Sequence, residues 1–264
     1  MKTRIITAVI AIAIVLPFIY FGGWVYALGI GIAALFAFKE VYDLRKKNEK
    51  IPVIPCLIAL LALLLNVYTS FNGTNFVYGA TYARLIFTTL GLLTPALFYK
   101  NDKYTANDAL ALIGWVLFLG MGFNSFILVR AQGLKQFVYL VSIPMMTDTF
   151  AMVLGCKIGK HKMCPKISPN KSWEGAAAGL IFGTIIPCVL YWLLIKDFNF
   201  GIVIATMILS CMGQIGDLIF SKIKRENGIK DFSNLMPGHG GCLDRLDSTI
   251  VIFMTYIFLT TVFF

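Results

Sequence analysis

Long apolar runs separated by short polar segments set the pattern of this chain. A bilayer core about 30 Å thick asks for about 20 apolar residues per helix. Nine segments come near that length: 5–21, 24–43, 51–70, 78–99, 108–129, 136–154, 174–195, 200–222 and 247–264. They predict an all-α, polytopic membrane bundle of about nine transmembrane helices, forming one integral domain over 1–264. A looser division falls near residue 105. Helices in 1–105 carry few polar residues, whereas 106–264 holds the ionisable groups and two long loops. The Phe21-Gly22-Gly23 break predicts a tight helical hairpin. After Met1-Lys2-Thr3-Arg4 no small-residue cleavage site follows, so the first segment reads as an uncleaved span.

Composition agrees with that pattern. The 264 residues are 58% hydrophobic and only 14% charged, with a mean hydropathy of +0.80, where a soluble protein is about a quarter charged. The net charge of +10 follows from where the bases lie, and it is not a nucleic-acid signal. With the N-terminus inside, one face collects Lys2, Arg4, Arg45, Lys46, Lys47, Lys50, Lys100 and Lys103. The same face holds the five bases of loop 155–173 and the four of loop 223–246. The other face holds Arg130, Lys135 and Lys196. The positive-inside rule then predicts a cytoplasmic N-terminus and both charged loops in the cytoplasm. Basic loops beside a membrane also attract anionic headgroups and polyphosphates. The six cysteines show neither CxxC nor zinc spacing and read as reduced packing residues.

Candidate chemistry concentrates in 216–248, GDLIFSKIKRENGIKDFSNLMPGHGGCLDRLDS, with five acids and five bases between two apolar runs. Asp217 and Ser221 lie four apart, with Lys224 and Arg225 three and four further on, so they share a helix face. A carboxylate in an apolar span tends to face a bundle interior or a water-filled cavity; a snorkelling helix end with a local Asp–Arg pair is the alternative. Asp244 and Asp247 flank Arg245 at a helix start, where one of them could serve as a cap. Carboxylates of this kind can hold Mg²⁺ together with water and substrate phosphates. His239, between glycines, is either a solvated loop residue or a phosphate donor; zinc is disfavoured with two histidines in the chain. The loop GCKIGKHKMCPKISPNKSWEG, 155–175, follows Asp148 and gathers Lys157, Lys160, Lys162, Lys166 and Lys171. It reads either as a positive-inside loop or as a phosphate-gripping one. Ser168-Pro169 suits a turn, and Ser172 an N-cap with Glu174 in the first helical turn.

Taken together, Ser221-x-Ile223-Lys224-Arg225, Lys230-Asp231-x-Ser233, Pro237-x-His239-Gly240-Gly241 and Asp244-Arg245-x-Asp247 resemble the signature of the phosphatidate cytidylyltransferases, also called CDP-diacylglycerol synthases. Asp148…Gly155 and Ser168-Pro169-x-Lys171-Ser172-x-Glu174-Gly175 look like further blocks of that family. The likeness covers about residues 145–248, while the first hundred residues agree in hydropathy and length alone. Met236, Cys242 and Met152 depart from the usual residues without removing a ligand.

The resemblance implies transfer of CMP from CTP to phosphatidic acid, giving CDP-diacylglycerol and pyrophosphate in membrane phospholipid biosynthesis. It implies Mg²⁺ dependence, a homodimer, and Asp217 and Asp244 as metal ligands, and it leaves a second, monovalent cation open. On that basis Lys171, Ser221, Lys224, Arg225, Lys230, His239, Arg245 and Asp247 are expected to act in catalysis. Ser168, Lys171, Ser172, Gly240 and Gly241 are expected to bind substrate. The expected setting is a bacterial inner membrane, with the site facing the cytoplasm. A transporter would show inverted repeats or paired broken helices, and neither is visible. A scaffold gives no reason for Pro-Gly-His-Gly-Gly beside three aspartates. A CTP-dependent enzyme acting on another lipid is the remaining alternative.

Overall fold

The computed structural model describes residues 2–44, 51–68, 78–99, 103–236, 238 and 240–263. Arg45, Lys46, Lys47, Lys50, Lys100, Pro237 and His239 lie outside the described residues. Among those described there are nine α-helices: α1 (Lys2–Phe21), α2 (Gly23–Asp43), α3 (Val53–Val67), α4 (Tyr78–Leu93), α5 (Ala106–Gln132), α6 (Leu134–Ile158), α7 (Trp173–Ile195), α8 (Phe200–Glu226) and α9 (Leu243–Phe263). Every apolar segment read from the sequence therefore holds a helix. The loop after α6 is not wholly irregular, because β1 (Lys162–Cys164) pairs antiparallel with β2 (Ser168–Ser172). The chain is nearly all-α rather than all-α.

Among the described residues, six helices are long and apolar enough to cross a membrane, by length and composition: α2 and α5 to α9. The apolar stretches of the other three are shorter. At 1.5 Å per residue the 15 residues of α3 reach about 22 Å, short of a hydrocarbon core of about 30 Å. The count of nine spans rested on apolar run lengths that included helix-flanking residues.

The chain divides into two compact units, Met1–Leu128 and Val129–Phe264. In the first, Gly22 turns α1 into α2 with φ 64°, a left-handed value open to glycine. Buried amides join its helices: Asn66 Nδ2 donates to Thr88 Oγ1 at 3.1 Å, and Asn124 Nδ2 to the Val67 carbonyl at 2.7 Å. Thr105 and Asp108 form a reciprocal cap at the start of α5.

The second unit is built on a seam between α6 and α7. Glycines 175, 179 and 183 repeat every four residues along one face of α7. A Cβ at Gly175 would stand 2.7 Å from the Ala151 carbonyl, and one at Gly179 would stand 2.8 Å from the Thr147 carbonyl. One at Gly183 would meet Thr147 and Ser210, whose hydroxyls bond each other at 2.8 Å. Small residues drive this approach because lipid supplies no hydrophobic force between helices, so backbone contact and interhelical hydrogen bonds hold them. Pro144 and Pro187 sit inside α6 and α7, as membrane helices allow. α8 and α9 pack in the same way, with Gly216 against Val251 and Gly213 against Ile252.

A leucine at Gly183 would force the α6–α7 seam apart. The expected result is a loss of about 1–3 kcal/mol or more, measured as a lower unfolding midpoint of the purified protein in detergent.

Candidate active site

Ser172 starts α7 as its N-cap, with its Oγ accepting from the Gly175 N–H at 3.2 Å. The expectation of a cap holds, and the hydroxyl lies against Gly155 of α6 and Gly159, the residue that follows that helix. One residue earlier, at the end of the β-hairpin, Lys171 leaves the strand. Its Nζ meets Asp217 Oδ2 of α8 at 2.5 Å, both side chains being about one quarter exposed. Ser221, one turn along α8, donates to the other oxygen of Asp217 at 3.3 Å.

Two further carboxylates face this pair. Asp148 of α6 and Asp247 of α9 both lie within electrostatic range of Asp217. Ser248 Oγ comes within 3.5 Å of Asp148 Oδ2, which ties α9 to α6 at this level. Sequence reasoning noted Asp148 but gave it no role. The signal was there, since an ionisable residue within an apolar span is a site candidate by default.

Lys224 is the second ammonium of this cluster. It is within electrostatic range of Asp247, and its Nζ donates to Asp244 Oδ1 at 2.7 Å. The side chain of Asp244 is 3% exposed and that of Lys224 11%. The other oxygen, Asp244 Oδ2, accepts from the backbone amides of Phe232 at 2.8 Å and Gly241 at 2.9 Å. Gly240 makes this possible. It sits at φ 85°, and a Cβ there would stand 2.9 Å from Asp244 Oδ2, so both backbone angle and space call for glycine. Met236 and Gly240 exchange backbone bonds at 3.0 and 3.1 Å and close the turn between them. The Phe232 ring lies 5.5 Å from Lys224 Nζ, in cation–π range.

The structure thus gathers Lys171, Asp217, Ser221, Asp247, Lys224, Asp244, Gly240 and Gly241, together with Asp148. Arg225 stands apart from the carboxylates: its Nε donates to the Ile167 carbonyl at 3.3 Å and Nη1 to that of Ile229 at 3.2 Å. Ser168 pairs with Cys164 at the start of β2. Lys230 and Arg245 are exposed. His239, expected to act in catalysis, lies outside the described residues.

The oxygen-only donor set suits a hard divalent cation. Four carboxylates (Asp148, Asp217, Asp244, Asp247) thus lie with two ammoniums (Lys171, Lys224) in this cluster. Among the described residues no three His, Cys, Asp or Glu side chains converge on one point as they stand.

Residues 2–263 match the model of the cytidylyltransferase family. A phosphatidate cytidylyltransferase of Staphylococcus haemolyticus is 38% identical over 251 residues, 94% of each chain. One of Staphylococcus aureus is 37% identical over 251 residues, again 94% of each. One of Staphylococcus epidermidis is 36% identical over 249 residues, with the same coverage.

Replacing Lys224 with methionine would leave the buried Asp244 carboxylate without a countercharge. Breaking such a pair costs about 3–5 kcal/mol, which would be read as a lowered unfolding midpoint in detergent. A double variant with Asp244→Asn removes the stranded charge, and it should recover part of the loss.

Proposed function

The chain belongs to the cytidylyltransferase family, and on that premise we propose that it transfers CMP from CTP to phosphatidate, forming CDP-diacylglycerol and pyrophosphate. The observation that carries the reading is the cluster of four carboxylates and two ammoniums, Asp148, Asp217, Asp244 and Asp247 with Lys171 and Lys224. A triphosphate and a phosphomonoester are both multiply charged, and a site that joins them must neutralise charge and hold geometry more than supply covalent help.

The second pKa of a phosphate monoester is near ~6, so phosphatidate is largely a dianion at neutral pH. One of its oxygens attacks the α-phosphorus of CTP directly. The new P–O bond forms as the bond from the α-phosphorus to the α,β-bridging oxygen breaks, and the electron pair leaves with pyrophosphate. No general base is required. Lys171 and Lys224 sit between carboxylates and can turn their ammonium groups to incoming phosphate oxygens. Lys230, on the α8–α9 connection, and Arg245, in the first turn of α9, are exposed and face the solvent route of CTP and pyrophosphate. Arg225 keeps the β-hairpin against the end of α8, and from there it can add charge to the nucleotide. Ser221 orients Asp217. Gly240 and Gly241 bring backbone close to the site, while Ser168 and Ser172 shape the hairpin that carries Lys171.

Asp217 and Asp244 would hold Mg²⁺. Asp217 is bonded by one ammonium and one hydroxyl, and Asp244 Oδ1 by one ammonium, so both keep lone pairs; Asp148 and Asp247 flank them. Mg²⁺ bound there supplies charge neutralisation and a fixed geometry for the triphosphate.

Six membrane-length helices and relatives from bacteria support a bacterial inner-membrane enzyme. The α6–α7 hairpin and the α8–α9 connection lie at one end of the second unit, joined by Arg225. Their bases favour the cytoplasmic side, where CTP is available, with phosphatidate entering from the bilayer. The further reading is a homodimer with the N-terminus in the cytoplasm.

Purified protein in detergent with CTP, Mg²⁺ and phosphatidate should yield pyrophosphate and CDP-diacylglycerol, and omitting any of the three should abolish both. Asp217→Asn should lower turnover by on the order of 10²-fold or more while elution and unfolding stay near wild type. Near-normal turnover would remove Asp217 from the site. No product from folded protein would overturn the reaction.

A further inference from the structure

Glu174 looks at first like an ordinary acid in the first turn of a helix, favoured there by the helix dipole. The structure gives it another task. Its side chain turns back from α7 to the chain leaving α6. The backbone N–H of Lys160 donates to Oε2 at 3.2 Å, and that of His161 lies 3.2 Å from both carboxylate oxygens. His161 Nδ1 lies 2.6 Å from Oε1. The Trp173 N–H completes the closure by donating to the His161 carbonyl at 3.0 Å. One carboxylate therefore gathers the root of the β-hairpin, and Lys162 pairs with Ser172 directly above it.

This root leaves little room for slippage. A Cβ on Gly159 would collide with Ser172, standing 2.9 Å from its Cβ, and one on Gly155 would meet the Gly175 backbone at 3.4 Å. At the tip, Arg225 holds the Ile167 carbonyl. Lys171 lies between these two anchors, one residue from the paired Ser172, and its ammonium reaches Asp217. A shift of one residue in a strand turns each side chain to the opposite face. Lys171 would then point away from α8.

We propose that Glu174 is a positioning residue for CMP transfer: by bonding the Lys160 and His161 amides it fixes the register of the hairpin, and so holds Lys171 at Asp217. The proposal rests on the role given to Lys171 under the proposed function. Glu174 touches neither substrate nor reacting atoms; it acts through the strand. What it requires is the reach of an acceptor to two amides, more than its negative charge.

The test compares Glu174→Asp with Glu174→Gln, each alone and combined with Lys171→Ala, by steady-state CMP transfer and by unfolding in detergent. Asp keeps the charge at the start of α7 but is one methylene too short for the amides, whereas Gln keeps the reach and an acceptor oxygen. E174D is expected to lower kcat by up to about 10²-fold, the scale of a 1 Å misplacement, with a smaller change in KM for CTP. E174Q is expected to retain most of the turnover. In the K171A background E174D should cause little further loss, because the group that it positions is gone. An E174Q defect larger than that of E174D, or losses from E174D and K171A that simply multiply, would overturn the proposal. Wild-type turnover in K171A would refute the role of Lys171 itself, an outcome distinct from either of these.

Discussion

The second unit of this chain, Val129–Phe264, depends on two helices coming close enough to touch through backbone. In a bilayer nothing squeezes α6 and α7 together as water would, so their contact must come from packing. The row Gly175, Gly179, Gly183 supplies it by presenting no side chain to Thr147 and Ala151. The consequence runs outward along both helices. Because they meet backbone to backbone at Gly155 and Gly175, the chain between them must turn within a narrow space, and it does so as a short hairpin. That hairpin is the carrier of Lys171. Wider separation would move the lysine away from α8, so the position of a charged group is set by glycines that make no chemical contact with it.

The second constraint is the cost of carboxylates beside lipid. An isolated charge in such surroundings is expensive, and a pair offsets the cost only when geometry and additional hydrogen bonds are good. Asp244 meets that condition. One oxygen is given to Lys224 and the other to two amides, one from each side of the turn at Met236–Gly240. The carboxylate thereby joins three stretches remote in sequence: α8, the segment at Phe232 and the start of α9. Asp217, one quarter exposed and tied to one lysine and one hydroxyl, is far less saturated. The same residue type is thus held rigidly at one position and more loosely at the other, each with acceptor capacity left, and the number of donors around each makes the difference.

Much of this was legible before any coordinates. Apolar run length gave a helix in every segment, because in a chain of this composition the hydrophobic pattern and the helical state coincide. Among the described residues six of these helices are long and apolar enough to cross a membrane, and the run at 51–70 includes residues that flank a 15-residue helix. The site was legible as a set of residue types: Asp217 with Ser221 and Lys224 on one face of α8, and the aspartates at the start of α9. The partners were not. That Lys171 meets Asp217 across 46 positions of sequence, or that Arg225 holds a carbonyl of the hairpin, follows from tertiary packing that no spacing rule encodes. The β-hairpin was missed because its eleven residues, 162–172, contain two prolines and no apolar alternation.

Glu174 shows why the remaining signal was ambiguous. In sequence it sits two residues after an N-capping serine, where an acid needs no explanation beyond the helix dipole. The structure keeps that position and redirects the side chain, so that the carboxylate answers amides outside its own helix. Such reassignment is open to any first-turn acid whose preceding strand folds back along the helix start. Here the glycines at 155 and 159 bring the strand within reach. The close helical seam and the anchored hairpin are therefore one device, in which packing between two helices fixes where a polar arm begins and a single acid fixes where it ends.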